Sequence, residues 1–465
     1  MRVLTRDSRF RTHHSLRITH YSSLITHYLL LIITHHSFTF PPMNVLLLNQ
    51  CFYPDVMATA QQLTDLAVGL TKEGHRVTVI ASDRGYDDPS QRFPRRETWN
   101  GIEIIRIPSL VLGKKSRWRR ALNFASFLCN CALRLLLLPR FDVVVALTSP
   151  PLISFLGSLF VRLKGGEFFF WVMDLNPDEA IAAGWLKADS FSAKVLGRLL
   201  RYSLLHAQGI IALDHFMKER IVAKGVSPQL VTVLPPWAHE DNVTFDPAGR
   251  EAFRREHHLE DKFVVMYAGN HSPCHPLDTL VEAASRLSSA EKIVFCFVGG
   301  GSEQEKVREF AERHSLGNIR CLPYQPFAML AGSLSAADLH AVVMGAEFVG
   351  IVHPCKLYNI LTTGIPFLYV GPEKSHITEI AAQNHGDYRA YTARHGDANN
   401  VVGHIREEMR RKSHGEESPV PDIAASFSRK ILLPRMIKLL ESQVVANKQI
   451  ANQAETTNRL SATQN

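Results

Sequence analysis

Hydrophobic positions in this chain fall into short continuous runs separated by stretches of helical spacing, and the alternation begins abruptly at Met43. Apolar runs predict strands over residues 45–48, 77–80, 102–107, 143–147, 168–172, 210–213 and 231–234. Between the first two, Leu63, Leu66, Ala67 and Leu70 are spaced for one buried helix face, and Gly74 ends that helix. The pattern then restarts. Strands are predicted over 263–268, ending at Gly269, and over 293–298, ending at Gly299-Gly300-Gly301, then over 319–322, 339–343 and 367–370. Leu277, Leu280, Val281, Ala284 and Leu287 mark a helix between the first two of these. Unbroken apolar strands alternating with helices mean parallel sheets covered on both faces. The fold class is therefore α/β, with two Rossmann-like doubly wound domains. Their expected extents are 43–237 and 238–427, joined near Pro235-Pro236-Trp237. A last helix, 428–442, is expected to return to the first domain, followed by a polar, disordered tail over 443–465. Ligands of such sheets bind beyond the carboxyl ends of the strands, so two facing domains place the site in a cleft.

Residues 1–42 follow no such pattern. Thr-His pairs recur from Thr12, Thr19, Thr26 and Thr34, and the longest apolar run, Leu29 to Ile33, is far too short to span a bilayer. A His-rich metal tract is one reading. A disordered, non-native extension before a start at Met43 is the expectation. The 465-residue chain is 46% hydrophobic and 21% charged, which is globular composition. A formal charge of +8 suits an anionic partner: a phosphorylated substrate, an anionic membrane surface or nucleic acid. No nucleic-acid reader motif accompanies it. Seven cysteines, an odd number without a CxxC, argue against a disulfide framework or a zinc site and fit a reducing cytosol.

The segment 347–371 carries the most chemistry. It reads as a loop with Gly350, a short helix near Pro354, a stop at Gly364 and a buried strand. A loop feeding a helix N-terminus offers free N–H groups to an anion. Lys356 in the first turn opposes the helix dipole, a conflict that a bound phosphate removes.

Several motifs occur in order. They are Asn49-Gln50-Cys51-Phe52-Tyr53-Pro54-Asp55, Gly74-His75-Arg76-Val77, Leu147-Thr148-Ser149-Pro150-Pro151, Asp174-Leu175-Asn176-Pro177-Asp178, Tyr267-Ala268-Gly269-Asn270-His271, Val298-Gly299-Gly300-Gly301, and the segment through Gly364-Ile365-Pro366. With this set the chain resembles retaining GT-B glycosyltransferases of family 4, nearest the branch in colanic-acid and O-antigen-type polysaccharide assembly. The resemblance implies two Rossmann-like domains facing across a cleft, a nucleotide-diphosphate-sugar bound mainly by the second, and an acceptor bound by the first. It implies chemistry without a divalent metal or other cofactor, backbone N–H groups and cations taking the charge of the leaving diphosphate. No clustered DxD is present, and Asp87-Asp88 reads as a solvated loop.

Carried over residue by residue, the resemblance implies the following. Asn270 and His275 occupy the positions of a family arginine and lysine, with Gly269 and His271 beside them. Lys356 is the leading substitute for diphosphate contact, and Gly350 and Ile351 would supply backbone N–H groups. Gly299, Gly300 and Gly301 form a turn near the base, or a structural turn. Asn359 falls where a ribose-binding glutamate is usual, and Glu347 stands in for the other family glutamate or is a surface residue. Asp174 is a general base, a sugar-positioning group or a helix cap. Pro54 and Asp55 lead into a helix whose N-terminus faces the donor phosphates.

Lys114, Lys115, Arg117, Trp118, Arg119 and Arg120 precede an apolar helix from Ala121 to Leu138, interrupted by Asn123, Asn130 and Arg134. Those polar residues disfavour a spanning helix, and the basic start suits contact with an anionic membrane. A core helix with a solvated basic start is the alternative. The sequence thus points to a cytosolic, peripheral membrane glycosyltransferase using a polyprenyl-linked glycan acceptor. A GT-B-fold sugar-nucleotide epimerase and a catalytically degenerate nucleotide-sugar-binding subunit are the alternatives.

Overall fold

The computed structural model describes residues 41–86, 88–112, 117–239, 241–290, 292–383 and 386–444. The expectations for residues 1–40, Asp87, Lys114, Lys115 and the tail from 445 lie outside the described residues. Residues from Met43 onward form a unit separate from 1–42.

The first sheet contains β1 (Asn44–Leu48), β2 (Arg76–Ser82), β3 (Arg96–Trp99), β4 (Ile102–Ile107), β5 (Val143–Ala146), β6 (Glu167–Trp171), β7 (Gly209–Ala212) and β8 (Val231–Val233). Their order is β3-β4-β2-β1-β5-β6-β7-β8. The second contains β9 (Phe263–Asn270), β10 (Ile293–Gly300), β11 (Ile319–Leu322), β12 (Leu339–Val343), β13 (Phe367–Val370) and β14 (Ala390–Ala393), in the order β11-β10-β9-β12-β13-β14. Only β3 with β4 is antiparallel among these pairs. The second order is that of a doubly wound sheet. The first repeats it from β4 to β7, with β3 and β8 added at its edges, so the strand order reverses between β1 and β5 and between β9 and β12. Val45, Leu46, Leu47, Val143, Val144 and Val145 are fully buried, as strands covered on both faces must be.

Two details differ from expectation. β9 and β10 run on into their glycines, because Gly269 pairs with Gly299 and Asn270 with Gly300. The turn is confined to Gly301, which precedes the helix Ser302–Arg313. The final helix extends through 444, with Val444 buried, so the polar tail begins later than 443.

That helix, 429–444, lies on the first sheet's side. Ile437 and Leu433 pack against Gly69, where a Cβ would come 2.9 Å from Ile437 Cδ1. Glu441 Oε1 lies 3.0 Å from His75 Nε2, and Arg429 donates to Asp65 Oδ1 at 2.9 Å. The connection between the halves is fastened to the same helix, Ala58–Lys72. Gln62 Nε2 donates to Trp237 O at 2.9 Å, and Trp237 Nε1 donates to Asp65 Oδ2 at 2.8 Å.

The apolar helix starts at Arg117 and ends at Leu137, so Arg117, Trp118, Arg119 and Arg120 form its first turn rather than precede it. Phe127, Cys131 and Leu135 bury one face in the first core. The interrupting polar residues hold the preceding loop. Asn123 Oδ1 accepts from Leu112 N–H at 3.0 Å, Ser126 Oγ from Leu110 N–H at 2.8 Å, and Asn130 Nδ2 donates to Pro108 O at 3.0 Å. By length and composition this helix could cross a membrane; here it lies along the sheet with most of its apolar surface exposed.

Candidate functional site

At the switch point of the second sheet, the carboxyl ends of β9 and β12 meet the start of the helix Lys356–Thr363. Lys356 opens that helix, and its stem passes over Gly269. A Cβ on Gly269, whose φ is +122°, would lie 3.2 Å from Lys356 Cε and Nζ. The ammonium sits 3.4 Å from the centroid of the Tyr267 ring and has no hydrogen-bond partner among the described residues. Burial pushes Lys356 well below the usual lysine range. A buried cation resting on one aromatic face is incompletely compensated.

His271 and His275 come from the loop after β9. His271 lies edge-on to Tyr267 at 4.8 Å, fully buried, and neither ring nitrogen has a partner among the described residues. His275 Nδ1–H donates to Val343 O at 2.7 Å. Burial, and then the Lys356 charge, pushes both imidazoles down to about 3. Neither is therefore a cation at neutral pH, and Lys356, itself pushed down by burial, is the group beside them that an arriving anion would hold in its charged form. Asn270 is exposed at the end of β9, its carbonyl accepting from the Tyr267 hydroxyl at 2.8 Å.

The glycines answer to the chain itself. At φ +140° and +137°, a Cβ on Gly299 would fall 2.0 Å from Gly269 O, and one on Gly301 2.2 Å from His271 O. Gly300 pairs with Asn270. Close passage of 269–271 and 299–301 thus requires Gly299 and Gly301 whether or not a ligand is near. Gly350, at φ +71°, has the Phe216 carbonyl 2.6 Å from where its Cβ would be. It packs on the first half's helix His215–Ala223. Ile351 donates to Phe348 O at 2.9 Å, and its carbonyl accepts from Leu175 N–H at 2.9 Å. The Ile351 N–H expected at a diphosphate is engaged in its own turn, because this loop is spent on joining the halves. Glu347 is exposed on the turn Ala346–Phe348. Asn359 Oδ1 accepts from His239 N–H at 3.0 Å, so its acceptor faces the interdomain connection.

Asp174 follows β6. The short helix Asp178–Ala182 has no side-chain cap, which removes the capping role considered for Asp174. Glu179 on that helix accepts from Asn176 Nδ2 at 2.9 Å, and Cys274 Sγ reaches across from the second half to 3.8 Å from Glu179 Oε1. Burial, and then the Glu179 charge, pushes Asp174 up to about 8; burial raises Glu179 too, against the bonds from Asn176 and Cys274. Both carboxyls are thus shifted toward holding a proton, and the Asp174–Glu179 pair titrates as one unit. Glu179 was not singled out in the sequence, although a second carboxylate five residues on was its signal. Asp214, His353 and His376 were also missed, for they meet only in three dimensions.

In the first half, Asp55 Oδ1 accepts from Tyr86 N–H at 3.0 Å, bracing two loops. The helix Ala58–Lys72 that follows Pro54 and Asp55 has no side-chain cap, which leaves its first N–H groups without that partner. Trp118, Arg119 and Arg120 are exposed, with the Arg119 guanidinium 5.3 Å from the Trp118 ring.

Two doubly wound parallel sheets in one chain are the architecture of the GT-B fold. Residues 58–237 match the Glycosyl transferase 4-like domain and residues 249–368 the Glycosyl transferases group 1 family. The chain belongs to the GT-B glycosyltransferases of family 4. It is 26% identical over 339 residues to the Escherichia coli K12 protein named "Putative colanic acid biosynthesis glycosyl transferase WcaI", covering 69% of this chain and 82% of that one. It is 25% identical over 241 residues to "Probable glycosyltransferase WbjE" of Pseudomonas aeruginosa, covering 52% and 60%. The crystal structure of Anabaena HepE with UDP-glucose superposes at a TM-score of 0.59 and 13% identity, covering 89% of this chain and all of that one. WaaG, a glycosyltransferase involved in lipopolysaccharide biosynthesis, superposes at 0.61 and 15%, covering 85% and 99%. At these identities the structural likeness is one of fold.

Proposed function

We propose that this chain transfers a sugar, with retention of anomeric configuration, from a nucleotide-diphosphate-sugar to a polyprenyl-linked glycan in bacterial surface-polysaccharide assembly. It works without a divalent ion, as a peripheral protein on the cytoplasmic face of the plasma membrane. The observation that carries the reading is the Lys356 ammonium, buried and without a hydrogen-bond partner among the described residues, at the strand ends where α/β sheets receive ligands. Transfer places negative charge on a departing diphosphate, and a fixed cation in a dry site stabilises that charge. The fold shared with HepE, which was crystallised with UDP-glucose, supports this class of donor. The names of WcaI and WaaG support polysaccharide assembly. The Asp174–Glu179 pair, shifted toward holding a proton, is suited to hydrogen-bond a sugar oxygen. The exposed apolar face of Arg117–Leu137, with Arg119 and Arg120 at its start, supports the membrane contact.

The test is to incubate the protein with a panel of nucleotide-sugars and a polyprenyl-diphosphate-glycan, and to identify the product and its anomer. Transfer with retention, unaffected by a chelator, is expected. An inverted product or loss of rate with chelator contradicts the mechanism. Epimerised nucleotide-sugar identifies an epimerase instead, and binding without turnover identifies a degenerate subunit.

A further inference from the structure

A second buried polar cluster lies apart from the donor site and straddles the two halves. Asp214 follows β7 and caps His215–Ala223, accepting from Met217 N–H at 2.7 Å. Its Oδ2 lies 2.7 Å from His353 Nδ1 and 3.3 Å from His376 Nδ1. On the far side of the ring, His353 Nε2 lies 2.6 Å from the Tyr358 hydroxyl. Tyr358 is on the helix that Lys356 opens, and His353 is three residues before Lys356. All four side chains are buried.

Two histidines and a carboxylate suggest a metal, but their geometry opposes one. The His353 and His376 rings are stacked at 3.8 Å and 14°, so their lone pairs run parallel instead of converging. The 2.7 Å between Asp214 Oδ2 and His353 Nδ1 is also hydrogen-bond length. Ligand atoms about 2.0–2.1 Å from a tetrahedral zinc ion stand about 3.3 Å apart, a spacing that Asp214 and His376 meet and that Asp214 and His353 do not. The atoms form a proton-ordered chain instead. His353 Nδ1–H donates to the Asp214 carboxylate, and the Tyr358 O–H donates to His353 Nε2. Burial pushes Asp214 up, but the bonds from His353 and from the Met217 N–H act against it, and the net direction is down, toward an ionised carboxyl. Burial also keeps Tyr358 in its hydroxyl form.

We propose that the Asp214–His353–Tyr358 chain positions Lys356, tying the first turn of its helix to the first half so that the donor cation is set by the junction of the two halves. The proposal rests on the assignment of Lys356 to the donor diphosphate. Asp214 and His353 are positioning residues, buried away from substrate and acting through Lys356. The same loop is fastened independently, by Arg220 Nε to Val349 O at 2.6 Å and by Leu175 N–H to Ile351 O. Losing the His353 link therefore leaves the halves joined and releases only the segment that aims Lys356. His376, stacked on His353, fixes the plane of its ring.

The test uses the full chain and whichever of UDP, GDP and ADP gives the largest thermal shift, titrated into His353→Ala, His353→Gln and Asp214→Asn, each alone and combined with Lys356→Ala. His353→Ala is expected to weaken binding about tenfold, and to have no further effect once Lys356 is gone. His353→Gln, which keeps a donor and an acceptor, is expected to recover most of the loss and serves if the alanine variant fails to fold. Additive losses, or a lowered melting temperature with unchanged affinity, overturn the proposal in favour of a purely structural link. Stoichiometric zinc held by the wild type and lost in Asp214→Asn overturns the hydrogen-bonded chain. An inert His353→Ala beside a weakened Lys356→Ala refutes this proposal alone, whereas an inert Lys356→Ala refutes the donor-site reading beneath it.

Discussion

Lys356 is set down where the described residues supply no anionic partner, and burial alone disfavours its charged form. The Tyr267 face compensates part of its desolvation, about 0.5–2 kcal/mol, and leaves the rest to a ligand. Asp174 is the opposite case, a carboxyl kept protonated by burial and by Glu179. Its folded value of about 8, against an ordinary 3.8, means that the folded chain binds the extra proton between those limits. Stability from this group is therefore fully present at low pH and falls as pH rises from about 4 to about 8. Asp174→Asn keeps the shape and cannot ionise. Its melting temperature should exceed the wild type's at pH about 8.5, and the gap should close toward pH about 4; parallel curves would contradict the shared proton. Lys356 was legible because a lysine in a first helical turn is a local anomaly. The Asp174–Glu179 coupling was not, since it depends on how deeply a loop is buried.

At the scale of elements, the buried parallel strands were legible because nothing else produces unbroken apolar runs of that length. β3 and β14 were not. Arg-Glu-Thr-Trp alternates exposed and half-buried positions on an edge, and Ala-Tyr-Thr-Ala has no branched aliphatic residue and is mostly half-buried or exposed. The Asn100-Gly101 pair between β3 and β4 was the overlooked hairpin signal. The helix Arg117–Leu137 displays Leu133, Leu136 and Leu137 at 62%, 58% and 77% exposure. Replacing these three with serine should reduce partitioning onto anionic vesicles at least tenfold, since each leucine stands to lose over 1 kcal/mol of apolar burial. The melting temperature should hardly change. Equal vesicle binding would mean that this face serves something other than a membrane.

For the whole molecule, the doubled doubly wound order was legible because the strand–helix pattern restarts after Trp237. Contacts between distant segments were not, because Asp214 and His353 leave no periodic trace of their meeting. The helix 429–444 shows the same long reach, burying Leu432, Met436 and Leu440 against the first half. Leu440→Ala should cost about 2–5 kcal/mol, read from the urea midpoint; a loss below about 0.5 kcal/mol would mean that the helix does not contribute to the folded unit. The central claim is that a nucleoside diphosphate completes the site around Lys356. The most direct measurement is calorimetric titration of UDP, GDP and ADP into the wild type and into folded Lys356→Ala. The wild type should bind at least one of them, and the variant should lose about 1.5–3 kcal/mol of that affinity. Equal affinity in the two proteins, or no binding by the wild type, would contradict it.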